Sequence, residues 1–286
     1  MSALPPFEIR PPEGGAPASP LIYASPHSGR IYPAELMDKA ALDAKAIRRS
    51  EDAFVDELIG GAARHGATLL LARLARAFID VNREPYELDP AMFEDELPDF
   101  ARGRTARVAA GLGSIAKVVA EGQEIYAQKL TFEDAAERIE AAHKPYHAAL
   151  SGLLEAAKAA HGLAVLIDWH SMPSAAAAQG RAGKGCDLVL GDRFGAACSP
   201  VLTRMVEQQF EAMGYRTVRN APYAGGYTTE HYGKPARRVH ALQIEINRGL
   251  YLDEATMEPT EGLTRLARDI ERLTAALAQA DWDRLR

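Results

Sequence analysis

Two histidines each follow a short apolar run of the kind that forms a strand: His27 follows the run 21–25, and His170 follows the run 163–168. A strand end fixes the backbone and lets a ring point into a crevice. Two imidazoles and one carboxylate are a common ligand set for catalytic zinc, with water in the fourth position. Zinc lowers the pKa of that water to about 7, and a second carboxylate can then take its proton. The carboxylate ligand is expected from Glu51 or Asp52, which stand side by side at an expected helix start. Adjacent helical side chains diverge by about 100°, so only one of the two faces a metal, and the residues alone leave the choice open. Taken singly, either histidine also reads as a strand-end ring bonded to backbone, and the two acids as complements of a helix N-terminus. Their joint placement favours the metal.

Other residues suit supporting roles. Arg83 and Arg248 follow the runs 78–81 and 239–246. A guanidinium grips a carboxylate bidentately, so both are candidates for a substrate carboxylate, with a surface ion pair as the alternative. Asp168 is placed to accept the second ring N–H of a metal-bound histidine. In the loop 222–229, Gly225 and Gly226 allow close backbone approach to a ligand, and Gly226 and Tyr227 are candidate substrate contacts; a plain hairpin turn is the alternative. His143 and His147 stand four apart and share a helix face, but Pro145 lies between them and no acid accompanies them, so a structural or supporting role is expected. His240 faces away from Glu245 by strand alternation. His65 and His161 end helices, where a cation suits the dipole.

The elements that must position these groups alternate between β-rich runs and helical patterns. Strands are expected at 21–25, 68–72, 77–81, 163–168, 186–190, 215–218 and 239–246. Helices are expected at 51–65, with Ser50 as N-cap and Gly66 as the terminating glycine, at 131–160 with a kink at Pro145, at 200–213, and through the stripe from Leu263 to Leu277. Strands separated by helices imply a mostly parallel sheet with helices on both sides, and ligands then bind beyond the carboxyl ends of the strands. No linker or repeat divides the chain, so one α/β domain is expected over 1–286, with a Pro-rich lead at 1–20. The stretch 84–123 is Pro- and Gly-rich and weakly patterned, as a lid or binding loop would be. The run Ala175 to Ala178 with Gly180, Gly183 and Gly185 reads as a mobile loop.

Composition narrows the field. Hydrophobic residues make up 47% and charged residues 25%, which excludes a wholly disordered chain. With 39 acidic against 33 basic residues and no dense basic block, neither nucleic acid nor an anionic membrane is an expected partner. The lead lacks the charged start and apolar run of a signal peptide, and no stretch of about 18 apolar residues exists, so a cytoplasmic protein is expected. Two cysteines, Cys186 and Cys198, make no disulfide framework and are expected as reduced core thiols.

Five segments then stand out together: SPHSG at 25–29, FIDVNR at 78–83, LIDWHSMPS at 166–174, PYAGGYTTEHYG at 222–233 and HALQIEINRGLY at 240–251. In this order, over about residues 20–255, they resemble the N-formylglutamate amidohydrolase family, part of a wider group of zinc carboxypeptidases and aspartoacylase-like enzymes. The resemblance implies a three-layer α/β/α fold with a mostly parallel mixed sheet and one zinc ion. It implies that His27 and His170 are ligands, that Glu245 is the general base, and that the Asn82-Arg83 pair holds a substrate carboxylate. One departure matters: the wider group carries a His-x-x-Glu ligand pair, and the residue three after His27 is Arg30. The carboxylate ligand must come from elsewhere; Asp52 is the closest match, with Glu51 in reserve. The implied activity is zinc-dependent cleavage of an N-acyl amino acid, with N-formyl-L-glutamate as the leading substrate. A zinc carboxypeptidase or a deacylase of another N-acyl amino acid would share the metal site. A non-catalytic binding protein on the same fold would carry no stoichiometric metal.

Overall fold

Seven strands form one mixed sheet in the order β1-β3-β2-β4-β7-β5-β6. They are β1 (Phe7–Arg10), β2 (Leu21–Ser25), β3 (Thr68–Ala72), β4 (Ala164–Met172), β5 (Leu188–Gly191), β6 (Thr217–Arg219) and β7 (Val239–Asn247). The structure, a computed structural model, describes residues 5–15, 18–101, 103, 105–119, 122–178 and 185–285. Strands β2, β3, β4 and β7 are parallel, whereas β5 pairs antiparallel with β7 and carries β6 parallel to itself. Helices flank the sheet, giving the expected α/β fold. Among the described residues no helix is long and apolar enough to cross a membrane.

The chain divides into two compact units. One comprises Met1–Glu8, Pro26–Glu51 and Ala72–Ala149; the other comprises Ile9–Ser25, Asp52–Leu71 and Leu150–Arg286. The second unit carries most of the sheet. Side chains alternate between faces along a strand. Val165, Ile167 and Trp169 of β4 and Leu242, Ile244 and Ile246 of β7 therefore share one face, and all enter a core with Leu21 and Tyr23 of β2. The helices Pro200–Ala212 and Gly262–Ala278 close this core with Val206, Phe210, Ile270 and Leu273. Each such side chain contributes about 1.5–3 kcal/mol on burial. The opposite face of β4 and β7 receives Asp168, His170, Gln243 and Glu245. Both cysteines are buried and unbridged in this unit, as expected, and burial pushes the Cys198 thiol up to about 12.

The first unit has its own core, which includes Phe78, Ile79, Leu88, Phe93, Ile115, Ile125, Leu130 and Ile139. Residues 84–123 contribute much of it. They do so through turns and isolated bridges such as Leu112↔Ala116 and Val118↔Glu124, which explains their weak periodicity. The helix expected over 131–160 begins at Phe132. The Thr131 side chain accepts from the Asp134 N–H, and Asp134 accepts in return from the Thr131 N–H. At the place of the kink expected at Pro145 the α-helix Lys144–His161 runs on, and a π turn precedes it at Ile139–His143. There the Lys144 N–H reaches back to the Ile139 carbonyl. Pro145 has no N–H to give to Ala141, so widening the helix here sacrifices no bond of its own.

Several expectations need correction. The helix expected at 51–65 is broken into the 3-10 turn Ile47–Ser50, the helical turn Val55–Leu58 and the 3-10 turn Gly60–His65, with Phe54 at φ 62° between them. Ser50 therefore ends an element instead of capping one, although Gly66 does terminate the segment, at φ 87°. The strand expected at 77–81 is absent, because its carbonyls are taken by side chains: Tyr126 Oη donates to Ala77 and Arg138 Nη1 to Phe78, each at 3.2 Å. Strand β4 runs on to Met172, so His170 lies within a strand and not beyond its end. The Pro-rich lead contributes β1. The loop 222–229 gives way to the helix Tyr227–Tyr232. The stretch read as a mobile loop forms a short helix at Ser174–Ala178, while Gly180 and Gly183 lie outside the described residues.

Candidate metal and catalytic site

His27, Asp52 and His170 are all buried, and each offers a ligand atom such that the three atoms lie within 4.8 Å of one another. Local structure explains each placement. His27 follows β2 by two residues. Gly29 sits against the Leu74 backbone so tightly that a Cβ there would lie 2.1 Å from the Leu74 carbonyl oxygen. Asp52 opens the segment that leads into the Val55–Leu58 turn. His170 is a β4 residue on the polar face of the sheet.

The outer partners suit a metal. His27 Nε2 lies 2.7 Å from Asp80 Oδ1, and His170 Nε2 lies 3.1 Å from Asp168 Oδ2. A metal-binding histidine commonly donates its far N–H to a carboxylate in this way, which fixes the ring and raises its basicity. His170 Nδ1 faces Asp52 Oδ2 at 3.1 Å. The expectation for Asp168 is thereby matched in geometry. Two imidazoles and a carboxylate, each oriented by a further group, are a donor set that fits zinc. Burial alone would disfavour a charged His170 ring, but Asp168, Asp52 and Glu245 together raise its pKa well above the ordinary value. The acids around His170 thus favour positive charge there. Burial also opposes ionisation of Asp80, yet Arg76, Arg83 and His27 hold its carboxyl well below the usual range.

Glu51 is not in the cluster. Its carboxylate accepts from Tyr32 Oη at 2.6 Å and from Arg48 Nε at 3.1 Å. Asp52 instead accepts from Arg248 Nη2 at 3.0 Å, and Arg248 Nε reaches Ser171 Oγ at 3.2 Å. Arg248, expected to face substrate, is thus turned onto a candidate ligand.

Glu245 stands opposite His170 in the parallel register of β4 and β7. Gln243, to which the sequence reading gave no role, links it to the loop that leads into the helix Tyr227–Tyr232. The Gly226 N–H donates to Gln243 Oε1 at 2.7 Å, and Gln243 Nε2 donates to Glu245 Oε1 at 2.8 Å. The first bond fixes which way the amide points and hence directs its NH2 at the carboxylate. The signal was there in strand alternation, since residues two apart share a face. Tyr227 begins the adjacent helix and stacks on His231, with ring centroids 5.1 Å apart.

Asn82 is buried, and its N–H donates to Asp80 Oδ1 at 2.9 Å. Arg83 Nε donates to the Leu112 carbonyl at 2.9 Å and Nη1 to the Asn82 carbonyl at 2.8 Å, while Nη2 lies 3.8 Å from Asp80. Asp80 is the second residue whose role the sequence reading missed: it touches His27, Asn82 and Arg76 together.

The chain is similar to known proteins. Residues 19–252 match the family described as N-formylglutamate amidohydrolase. An N-formylglutamate deformylase of Pseudomonas putida is 30% identical over 264 residues, covering 91% of each chain. Its namesake in Pseudomonas aeruginosa is 29% identical over 239 residues, covering 82% of this chain and 83% of that one. The crystal structure of N-formylglutamate amidohydrolase from Ralstonia eutropha superposes with a TM-score of 0.90 at 38% identity, covering 96% of this chain and 98% of that one. The motifs, the sheet and these relatives agree: the chain belongs to the N-formylglutamate amidohydrolase family and is a hydrolase acting on an amide.

Proposed function

We propose that the chain cleaves the formyl amide of N-formyl-L-glutamate, releasing formate and L-glutamate, with one zinc ion held by His27, Asp52 and His170. The observation that carries this reading is the buried His-Asp-His group, with an aspartate behind each histidine, in a member of this family. When bound, zinc would polarise the formyl oxygen and lower the pKa of a water molecule. Glu245 takes the proton of the attacking water on Oε2, while Oε1 stays on Gln243, and returns that proton to the leaving amine. Asn82 and Arg83 bind a carboxylate of the substrate; the backbone bonds of Arg83 Nε and Nη1 hold its guanidinium plane ready for that contact. Gly226 and Tyr227 border the substrate beside Glu245. For Arg248, the pairing with Asp52 favours orienting that ligand over gripping substrate.

The test is formate release by the protein purified without added metal, with zinc content measured on the same sample. About one zinc per chain is expected, together with turnover that a chelator removes and zinc restores. Full turnover in the chelated protein would remove the metal from the reaction. Faster cleavage of a longer acyl chain than of formyl would transfer the assignment to a different deacylase.

A further inference from the structure

His143 and His147 are the histidine pair for which neither metal binding nor proton transfer has a use. Their rings stack with centroids 4.4 Å apart and planes inclined by 34°. Carbonyl oxygens only accept, so each ring donates an Nε2–H: His147 to the Val81 carbonyl at 2.7 Å, and His143 to the Arg83 carbonyl at 2.9 Å. The carbonyl between them, that of Asn82, accepts from Arg83 Nη1. Three consecutive carbonyls around the Asn82-Arg83 pair are thus held by side chains. No strand ladder holds them, since 77–81 forms none.

The spacing follows from backbone geometry. Four residues of α-helix rise about 6 Å, and two residues of chain reach at most about 7 Å, a limit within which the turn at 81–83 stays. Histidines at i and i+4 on one helix face therefore match carbonyls two residues apart. The π turn at Ile139–His143 ends at the first of the two rings, so the widened turn sets where the pair begins. π turns recur at functional positions. Histidine suits this work because a rigid ring carries its N–H at a fixed distance from the helix. A flexible amide must first order additional torsions.

We propose that His143 and His147 are positioning residues for substrate recognition: a stacked pair that clasps the peptide groups flanking Asn82 and so sets the direction in which Asn82 and Arg83 face the substrate carboxylate. This rests on the reading that Asn82 and Arg83 grip the substrate.

The experiment measures kcat and KM of the zinc-loaded enzyme with N-formyl-L-glutamate, and inhibition by L-glutamate, for His147→Phe, His147→Gln and His143→Phe. Phenylalanine keeps the stack and removes the donor. We expect KM and the glutamate inhibition constant to rise about tenfold in the phenylalanine variants with kcat within about threefold, the pattern of lost binding with intact chemistry. Glutamine at 147 carries an amide N–H to the place of Nε2 and should restore KM. In an Asn82→Ala/Arg83→Ala background, His147→Phe should change KM no further. An unchanged KM in the phenylalanine variants, or the same tenfold rise without Asn82 and Arg83, overturns the proposal. If Asn82→Ala/Arg83→Ala itself leaves KM unchanged, the failure lies with the reading of that pair as a substrate grip. Should His147→Phe not fold, His147→Gln against His147→Asn decides, because asparagine is too short to reach the Val81 carbonyl; equal KM values for the two overturn the clasp.

Discussion

Glu245 and His170 face each other from neighbouring strands, so the carboxylate proposed to move a proton and one proposed ligand share a single rigid element pair. Glu245→Gln preserves the contact with Gln243 and removes only the proton acceptor. Zinc content should stay at the parental level while kcat for formate release falls about 10²–10⁴-fold. A variant within a few-fold of the parent would exclude Glu245 as the base. Asp168→Asn tests the group behind His170 instead. It keeps the shape and weakens the charge behind the ring, so zinc affinity should drop about 10–100-fold, read by competition with a chromogenic chelator. Unchanged affinity would make Asp168 a packing residue.

At the scale of elements, close backbone approach does the positioning. Gly191 lies opposite Gln243 in the β5–β7 register, and a Cβ there would come within 2.8 Å of Ala224 C and Gly225 N. Gly191→Ala must push that segment away and strain the Gly226–Gln243 bond. Loss of about 1–3 kcal/mol in urea unfolding is expected, together with reduced kcat; an unperturbed variant would show that the segment yields freely. The strands β2 and β4 were legible in the sequence because fully buried strands read as continuous apolar runs, and β7 because Leu242, Ile244 and Ile246 alternate with polar residues. So was the long helix over 131–160. His27 and His170 were legible as candidate ligands, Asp52 only as one of two neighbouring acids until the family resemblance favoured it, and the motifs named the family. The segment 77–83 was not legible, because its apolar composition suits a strand while its carbonyls go to Tyr126, Arg138, His143 and His147, partners far along the chain. The helix expected at 51–65 failed for a related reason. Phe54 adopts a left-handed conformation that only tertiary packing imposes on such a residue. Gln243 and Asp80 went unassigned because their importance lies in whom they touch.

For the molecule as a whole, acid is the informative stress. His240 is buried, and its Nδ1 accepts the Ser199 N–H at 3.1 Å. Burial lowers its pKa below 6.5. The unfolded chain then binds a proton near pH 6 that the native chain refuses, so this contribution is complete above about pH 6.5 and is lost as pH falls through that value. His240→Asn can keep the acceptor and cannot titrate; the stability of that variant should decline less steeply between about pH 7 and 5 in urea titrations. Parallel curves for the two proteins would remove His240 from the acid response. The tethering of residues 77–83 by side chains has another consequence, for how such a molecule changes over generations. A ladder is altered only by rebuilding a strand, whereas each tether is one codon. Selection for a new acyl amino acid can therefore work singly on the anchors of the proposed grip, Asn82 and Arg83, while β4 and β7 keep the proposed ligand and base, and a laboratory library confined to the tether positions is where altered preference should first emerge.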